Sequence, residues 1–134
     1  MLNKHAALVY VMIMVSASDR NMKNVELSSI GAIVKHLPIF ADYDVARLTE
    51  TAAACADTLA GPRGLDTALD SVANSLPKHL RETAYALALE IAAVDLKVKP
   101  AELKILKIIR ERLEVDHATA DALEKSILVR YVAG

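Results

Sequence analysis

The sequence predicts an all-α fold of about seven helices in one compact domain, with a pseudo-twofold internal duplication. Apolar residues recur at helical spacings of three and four along most of the chain, and no segment alternates polar and apolar residues as a half-buried strand would. Alanine, the best helix former, contributes much of the hydrophobic content of 54%. An acidic pattern also occurs twice at one constant shift, which predicts that helices 1–3 are repeated by helices 5–7.

The duplicated pattern is an acidic corner between two predicted helices. Asp19 closes one helix and Glu26 opens the next, while Asp95 and Glu102 stand in the same relation 76 residues further on. At that shift apolar residues coincide in the pairs Ala17 and Ala93, Met22 and Val98, Leu27 and Leu103, Ile30 and Leu106, Ile33 and Ile109, and Leu37 and Leu113. We therefore predict a single domain over residues 1–134, with repeat one at about 3–60 and repeat two at about 78–131.

In the first half of the chain the predicted helices cover about residues 3–18, 24–37 and 42–60. Helix one is apolar nearly all round, which is typical of a helix buried on most faces. Helix two ends before Pro38, because the residue before a proline disfavours the helical conformation. Asp42 or Asp44 is expected to cap helix three, whose apolar seam includes Cys55.

In the second half the predicted helices cover about residues 65–75, 78–94, 100–113 and 116–131. The strongest break is Gly61-Pro62-Arg63-Gly64, and it separates the two repeats, with helix four as the bridge. Helix six has a wide inner face that consists of Leu103, Ile105, Leu106, Ile108, Ile109 and Leu113. Asp116 is expected to cap helix seven.

Composition excludes several classes of function. The net charge of −1 gives no basic surplus for nucleic acid or for an anionic membrane. With 4% aromatic residues and no Trp, stacking platforms for bases are not expected. The lone Cys55 excludes an internal disulfide and fits a reducing compartment, and its place on a helix seam predicts a core residue rather than a nucleophile. The four histidines lack zinc-site spacing, and no phosphate-binding glycine loop or catalytic constellation is present, so no enzyme activity is predicted.

The first twenty residues look like a signal peptide, because Lys4 precedes the apolar run 6–15 and the small residues 16–18. The run is shorter than the roughly 20 residues that a membrane-spanning helix requires. Val11 and Val15 also correspond to Leu87 and Ile91 of the second repeat, where no signal can lie. We therefore expect the segment to be retained, without direct membrane insertion, in a cytoplasmic protein.

The acidic corners allow two interpretations. A Glu at the third position of a helix interacts favourably with the helix dipole and can cap free N–H groups, whereas an Asp at a helix C-terminus is unfavourable by about 0.3–1 kcal/mol. In the first interpretation the Glu caps its own helix and the Asp accepts N–H bonds in the turn. In the second the two carboxylates share a cation, and Mg²⁺ or Ca²⁺ would take about six or more oxygens, the remainder coming from carbonyls and water. The spacing leaves both interpretations open.

The corners also resemble a known family. Each copy has a helix that ends in Ala-x-Asp, an aliphatic residue three positions after the Asp, and a Glu seven positions after it. The residues that carry the resemblance are Ala17, Asp19, Met22, Glu26, Leu27 and Ile30 in the first copy, and Ala93, Val94, Asp95, Val98, Glu102, Leu103 and Leu106 in the second. The second copy ends in Leu113-Glu114-Val115-Asp116. Over about residues 4–130 the chain resembles the TerB-like family, named for the bacterial tellurite-resistance protein B.

The resemblance implies an all-helical, duplicated fold and a divalent cation, Ca²⁺, Mg²⁺ or Zn²⁺. The implied metal ligands are Asp19, Glu26, Asp95 and Glu102. It implies a non-catalytic role in a bacterial stress or tellurite response through protein partners, including membrane-associated ones; a second copy of the chain is a further candidate partner. Arg20 and Leu96 occupy the positions where the family usually has glycine. The alternative is a metal-independent interaction module that resembles the helical domain of membrane co-chaperones.

Overall fold

A computed structural model describes residues 2–18, 27–94 and 100–131. In these ranges it has seven α-helices and no strand, which confirms the predicted all-α class. The helices are α1 (Lys4–Ala17), α2 (Ser28–His36), α3 (Leu48–Leu59), α4 (Gly64–Ser75), α5 (Lys78–Val94), α6 (Pro100–Arg112) and α7 (His117–Arg130). The start that the sequence predicts for helix two, at residue 24, lies outside the described ranges.

Side-chain caps set three of the helix starts. The Asn3 side chain accepts a hydrogen bond from the backbone N–H of Ala6 at 2.8 Å and so opens α1. Asp44, one of the two predicted caps, accepts from the N–H of Ala46 at 3.0 Å and opens the short 3₁₀ helix Val45–Arg47 that leads into α3. Asp116 accepts from the N–H of Thr119 at 3.3 Å and opens α7, as predicted.

Helix α1 is the centre of the fold. Residues 7–15 are all buried, and α1 packs against α2, α3, α4, α5 and α6. A helix that is surrounded in this way needs apolar side chains on every face, and the sequence supplies them with Leu, Val, Ile and Met. The prediction that helix one is buried on most faces is therefore confirmed.

Helix α5 is the second element that joins the fold together. It packs against α1, α2, α6 and α7. Near the end of α7, Arg130 donates to both carboxylate oxygens of Glu90 on α5, at 2.9 and 3.1 Å, and the Tyr131 hydroxyl donates to the same carboxylate at 3.3 Å. These bonds attach the end of α7 to α5, because a bidentate Arg–carboxylate pair fixes direction as well as distance.

After α2 the chain forms a 3₁₀ helix, Pro38–Phe40, which the sequence did not predict. Phe40 is buried and stacks on His5 with ring centroids 5.4 Å apart, while Tyr43 packs against both rings. The His5 imidazole also hydrogen-bonds the carbonyl of Ile39 at 2.8 Å. This cluster attaches the connection between α2 and α3 to the start of α1.

No helix in the described part of the chain combines the length and the hydropathy that crossing a bilayer requires.

Candidate functional site

One of the four carboxylates that the resemblance implies as metal ligands lies within the described residues. Glu102 is in the first turn of α6, and its residue exposure is only 5%. Asp19, Glu26 and Asp95 lie outside the described ranges, as do Arg20 and Leu96. Of the two corners, the structure therefore describes Glu102 and the helices that flank each corner.

Glu102 is the one charged residue that is buried in the described ranges. A negative charge in the first turn of a helix is favoured by the dipole, but a buried carboxylate loses hydration and requires compensating polar groups. Glu102 makes at least one such interaction. The first-turn acids Glu50 of α3 and Asp66 of α4 are exposed, so a place in a first turn does not by itself require burial.

The helix before the first corner lies close to the helix after the second corner. Ala17 and Ser18, at the end of α1, line a cavity of about 450 Å³ together with Lys104, Ile105 and Ile108 of α6. The Ser18 hydroxyl donates to the carbonyl of Val15 at 2.8 Å. The end of α1 and the middle of α6 thus share one concave surface.

Within the described ranges, no group of three or more His, Cys, Asp or Glu side chains is arranged to hold a metal ion. A cation site that includes Glu102 would therefore need ligands from residues 19–26 and 95–99. Cys55 is fully buried, and burial raises the pKa of its thiol to about 12. Since the thiolate is the nucleophile, this confirms Cys55 as a core residue.

A second concave surface, which the sequence did not predict, lies over α5 between α6 and α7. This groove has a volume of about 450 Å³, and apolar residues including Leu89, Ala92, Leu106 and Ile127 form its walls. Its edges carry two exposed leucines, Leu103 of α6 at 59% and Leu128 of α7 at 69%. Leu103 was expected on the inner face of helix six. It is exposed because no described helix covers that edge of the face.

The groove ends at a polar network that connects its three helices. The Tyr85 hydroxyl of α5 donates to Oε2 of Glu124 of α7 at 2.6 Å, and Arg110 of α6 donates to the same oxygen at 2.9 Å. Arg110 also contacts Nδ1 of His117 at 2.8 Å and Oδ1 of Asp121 at 3.5 Å.

Burial, reinforced by the hydrogen bond to Glu124, raises the pKa of Tyr85, so the phenol stays protonated and remains the donor. The network fixes one oxygen of Glu124 at the edge of the groove.

The comparisons with known proteins give one match. A family model described as tellurite resistance protein TerB matches residues 5–125. Neither the curated proteins nor the solved structures contain a match. The matched span includes both acidic corners and most of the groove.

Proposed function

Because the chain belongs to the family of tellurite resistance protein TerB, we propose that it is a non-catalytic module of a bacterial stress or tellurite response. In this proposal a divalent cation binds at the acidic corners, and the module acts through partner proteins. The observation that carries the proposal is the burial of Glu102 at the start of α6. The four carboxylates assigned to the cation, Asp19, Glu26, Asp95 and Glu102, all lie within the matched residues.

The burial of Glu102 supports a role beyond capping. An exposed carboxylate in a first turn already interacts favourably with the helix dipole. Glu50 and Asp66 are exposed carboxylates of this kind. Burial adds a desolvation cost that an exposed cap does not have, although the dipole interaction is also stronger in a partly buried site. A divalent cation, often the largest local charge in a site, would add to the interactions that Glu102 already makes.

The position of Asp95 in the sequence supports the same proposal. Asp95 directly follows α5, whose last carbonyls form the negative end of the helix dipole. A carboxylate is unfavourable there, and a cation reverses the sign of that interaction. Calcium and magnesium accept carboxylate, carbonyl and water oxygens, so the backbone of the corners could complete the coordination shell.

We also propose that the fold arose by duplication of one helical unit. A shift of 76 places α1 onto residues 80–93 within α5, and α2 onto residues 104–112 within α6. This agreement in position and type of helix supports the pairing of the two acidic corners. If the two corners are copies of one unit, a cation bound at one corner is expected either to have a counterpart at the other or to be shared by both.

Thermal unfolding with and without metal tests the proposal. After EDTA treatment, saturating Ca²⁺, Mg²⁺ or Zn²⁺ is expected to raise the melting temperature of the wild type. Ligand at 100 times its Kd adds about 2.7 kcal/mol, which corresponds to a rise of roughly 5–15 °C in a domain of this size. The double variant Asp95→Asn, Glu102→Gln is expected to lose the rise, because two of the ligands no longer carry charge.

Glu50→Gln is the matched control, because Glu50 is also a first-turn glutamate but is exposed. It is expected to keep the full metal-dependent rise. A wild type whose melting temperature is the same with EDTA and with each metal would contradict the cation proposal. In that case a set of captured partner proteins that survives EDTA would favour the metal-independent interaction module.

A further inference from the structure

We propose that the groove over α5 between α6 and α7 is a dimerisation surface, and that its occupant is the α6–α7 edge of a second copy of this chain. The proposal does not depend on a bound cation. Its evidence is the placement of exposed apolar side chains and of charges along the two edges of the groove.

The exposed apolar side chains are concentrated at this groove. In the described part of the chain three large hydrophobic residues are exposed, Leu103, Leu128 and Val129, and two of them line the groove. Leu103 and Leu128 lie on opposite edges, so the apolar surface extends from the walls of the groove onto both rims. Burial of such a surface by a partner is favourable in proportion to the apolar area removed from water.

The two edges carry side chains of opposite charge. On the α6 edge Lys107 is exposed, and it forms no ion pair with any described residue. On the α7 edge, Oε2 of Glu124 accepts from Tyr85 and Arg110, whereas its Oε1 accepts no hydrogen bond in the described ranges. Asp121 is on the same helix, with its side chain 71% exposed, and its Oδ1 lies 3.5 Å from Arg110. One edge is therefore basic and the other acidic.

This arrangement is self-complementary. A twofold axis parallel to the groove would set α6 of each copy against α7 of the other, because the rotation exchanges the two edges. Leu103 would then face Leu128 of the partner subunit, and Lys107 would face Glu124 of the partner subunit. An acidic amphipathic helix or an anionic lipid would match the α6 edge but would meet Glu124 and Asp121 on the other. The second copy is the occupant that matches both.

Sedimentation velocity over a range of protein concentrations, in buffer with EDTA, tests the surface. The wild type is expected to show a reversible monomer–dimer equilibrium. Leu128→Glu is expected to raise the dissociation constant at least about 100-fold, because it buries an unpaired charge in the apolar contact. The matched control is Val129→Glu, since Val129 is 63% exposed on the same helix but does not line the groove. It is expected to leave the equilibrium unchanged.

A second pair of variants tests the charges. Lys107→Glu is expected to weaken the dimer about tenfold, because it places like charges opposite each other. Lys125→Glu makes the same change on an exposed residue of α7 outside the groove and is expected to have no effect. A wild type that stays monomeric at every concentration would overturn the proposal. Equal effects of Leu128→Glu and Val129→Glu on the dissociation constant would also overturn it. A monomeric wild type that binds a hydrophobic dye, with dye binding lost in Leu128→Glu, would show a groove open to other ligands and would overturn it as well.

Discussion

Replacing Gly64 with alanine is expected to lower the free energy of unfolding by about 3 kcal/mol, at the upper end of the usual cost of overpacking. Gly64 is buried at the start of α4, after the break that follows α3. A Cβ atom at this position would overlap the carbonyl oxygen of Leu59 and would lie 2.7 Å from its Cα. Because these are backbone atoms, the clash cannot be relieved by a side-chain rotation, and the α3–α4 connection would have to move.

Gly31→Ala is the matched control for the glycine replacement. A Cβ at Gly31 would have its nearest neighbour, Cδ2 of Leu48, at 3.9 Å, which is an ordinary contact. Alanine in the interior of α2 is expected to raise the free energy of unfolding by roughly 0.5–1 kcal/mol, because it restricts the unfolded chain more than glycine does. Urea unfolding of both variants measures the difference. If Gly64→Ala and Gly31→Ala changed the free energy of unfolding in the same direction, the described packing of α4 on α3 would be contradicted.

Ile13→Ala is expected to lower the free energy of unfolding by about 2–5 kcal/mol, because it removes buried methyl groups and leaves a cavity. Ile13 has no exposed surface and lies in the part of α1 that is buried all round, in a helix that packs against five others. Neighbouring helices held in place on several sides cannot easily collapse into the space, which favours a cost in the middle of that range or above it.

Val129→Ala is the control for the core replacement. Val129 is 63% exposed on α7, so its truncation is expected to change the free energy of unfolding by no more than about 0.5 kcal/mol. Chemical denaturation monitored by far-UV circular dichroism measures both variants. An Ile13→Ala cost as small as that of Val129→Ala would mean that α1 is not the centre of the core.

The helices and their starts could be predicted because local chemistry determines them. Apolar spacing identified the seven helices of the described ranges. Asp44 and Asp116 could be recognised as caps because each precedes an apolar segment. The burial of α1 could be predicted because a helix that is apolar on every face has no polar side to present to water. These properties depend on residues that are close together in the chain.

The groove could not be predicted, because it depends on how separate helices meet. The spacing of Leu103 identifies the apolar side of helix six but not whether a neighbouring helix covers it, and the structure leaves it 59% exposed. The link from Tyr85 through Glu124 to Arg110 joins three helices across 39 and 14 positions of sequence. No periodicity within one helix contains that information.

The acidic corners are an intermediate case. Their recurrence at a shift of 76 identified Glu102 as a residue of interest, and the buried position of its side chain adds a physical reason to expect a function for it. The sequence could not predict that burial, because a place in the first turn of a helix does not require it, as the exposed Glu50 and Asp66 show.

Isothermal titration of the EDTA-treated protein with Ca²⁺ or Mg²⁺ tests the central claim, that the acidic corners form a cation site, most directly. The wild type is expected to give saturable heats. The variant that carries Asp19→Asn, Glu26→Gln, Asp95→Asn and Glu102→Gln is expected to give none while it remains folded. Absence of binding by the wild type to either ion, or undiminished binding by the variant, would contradict the account.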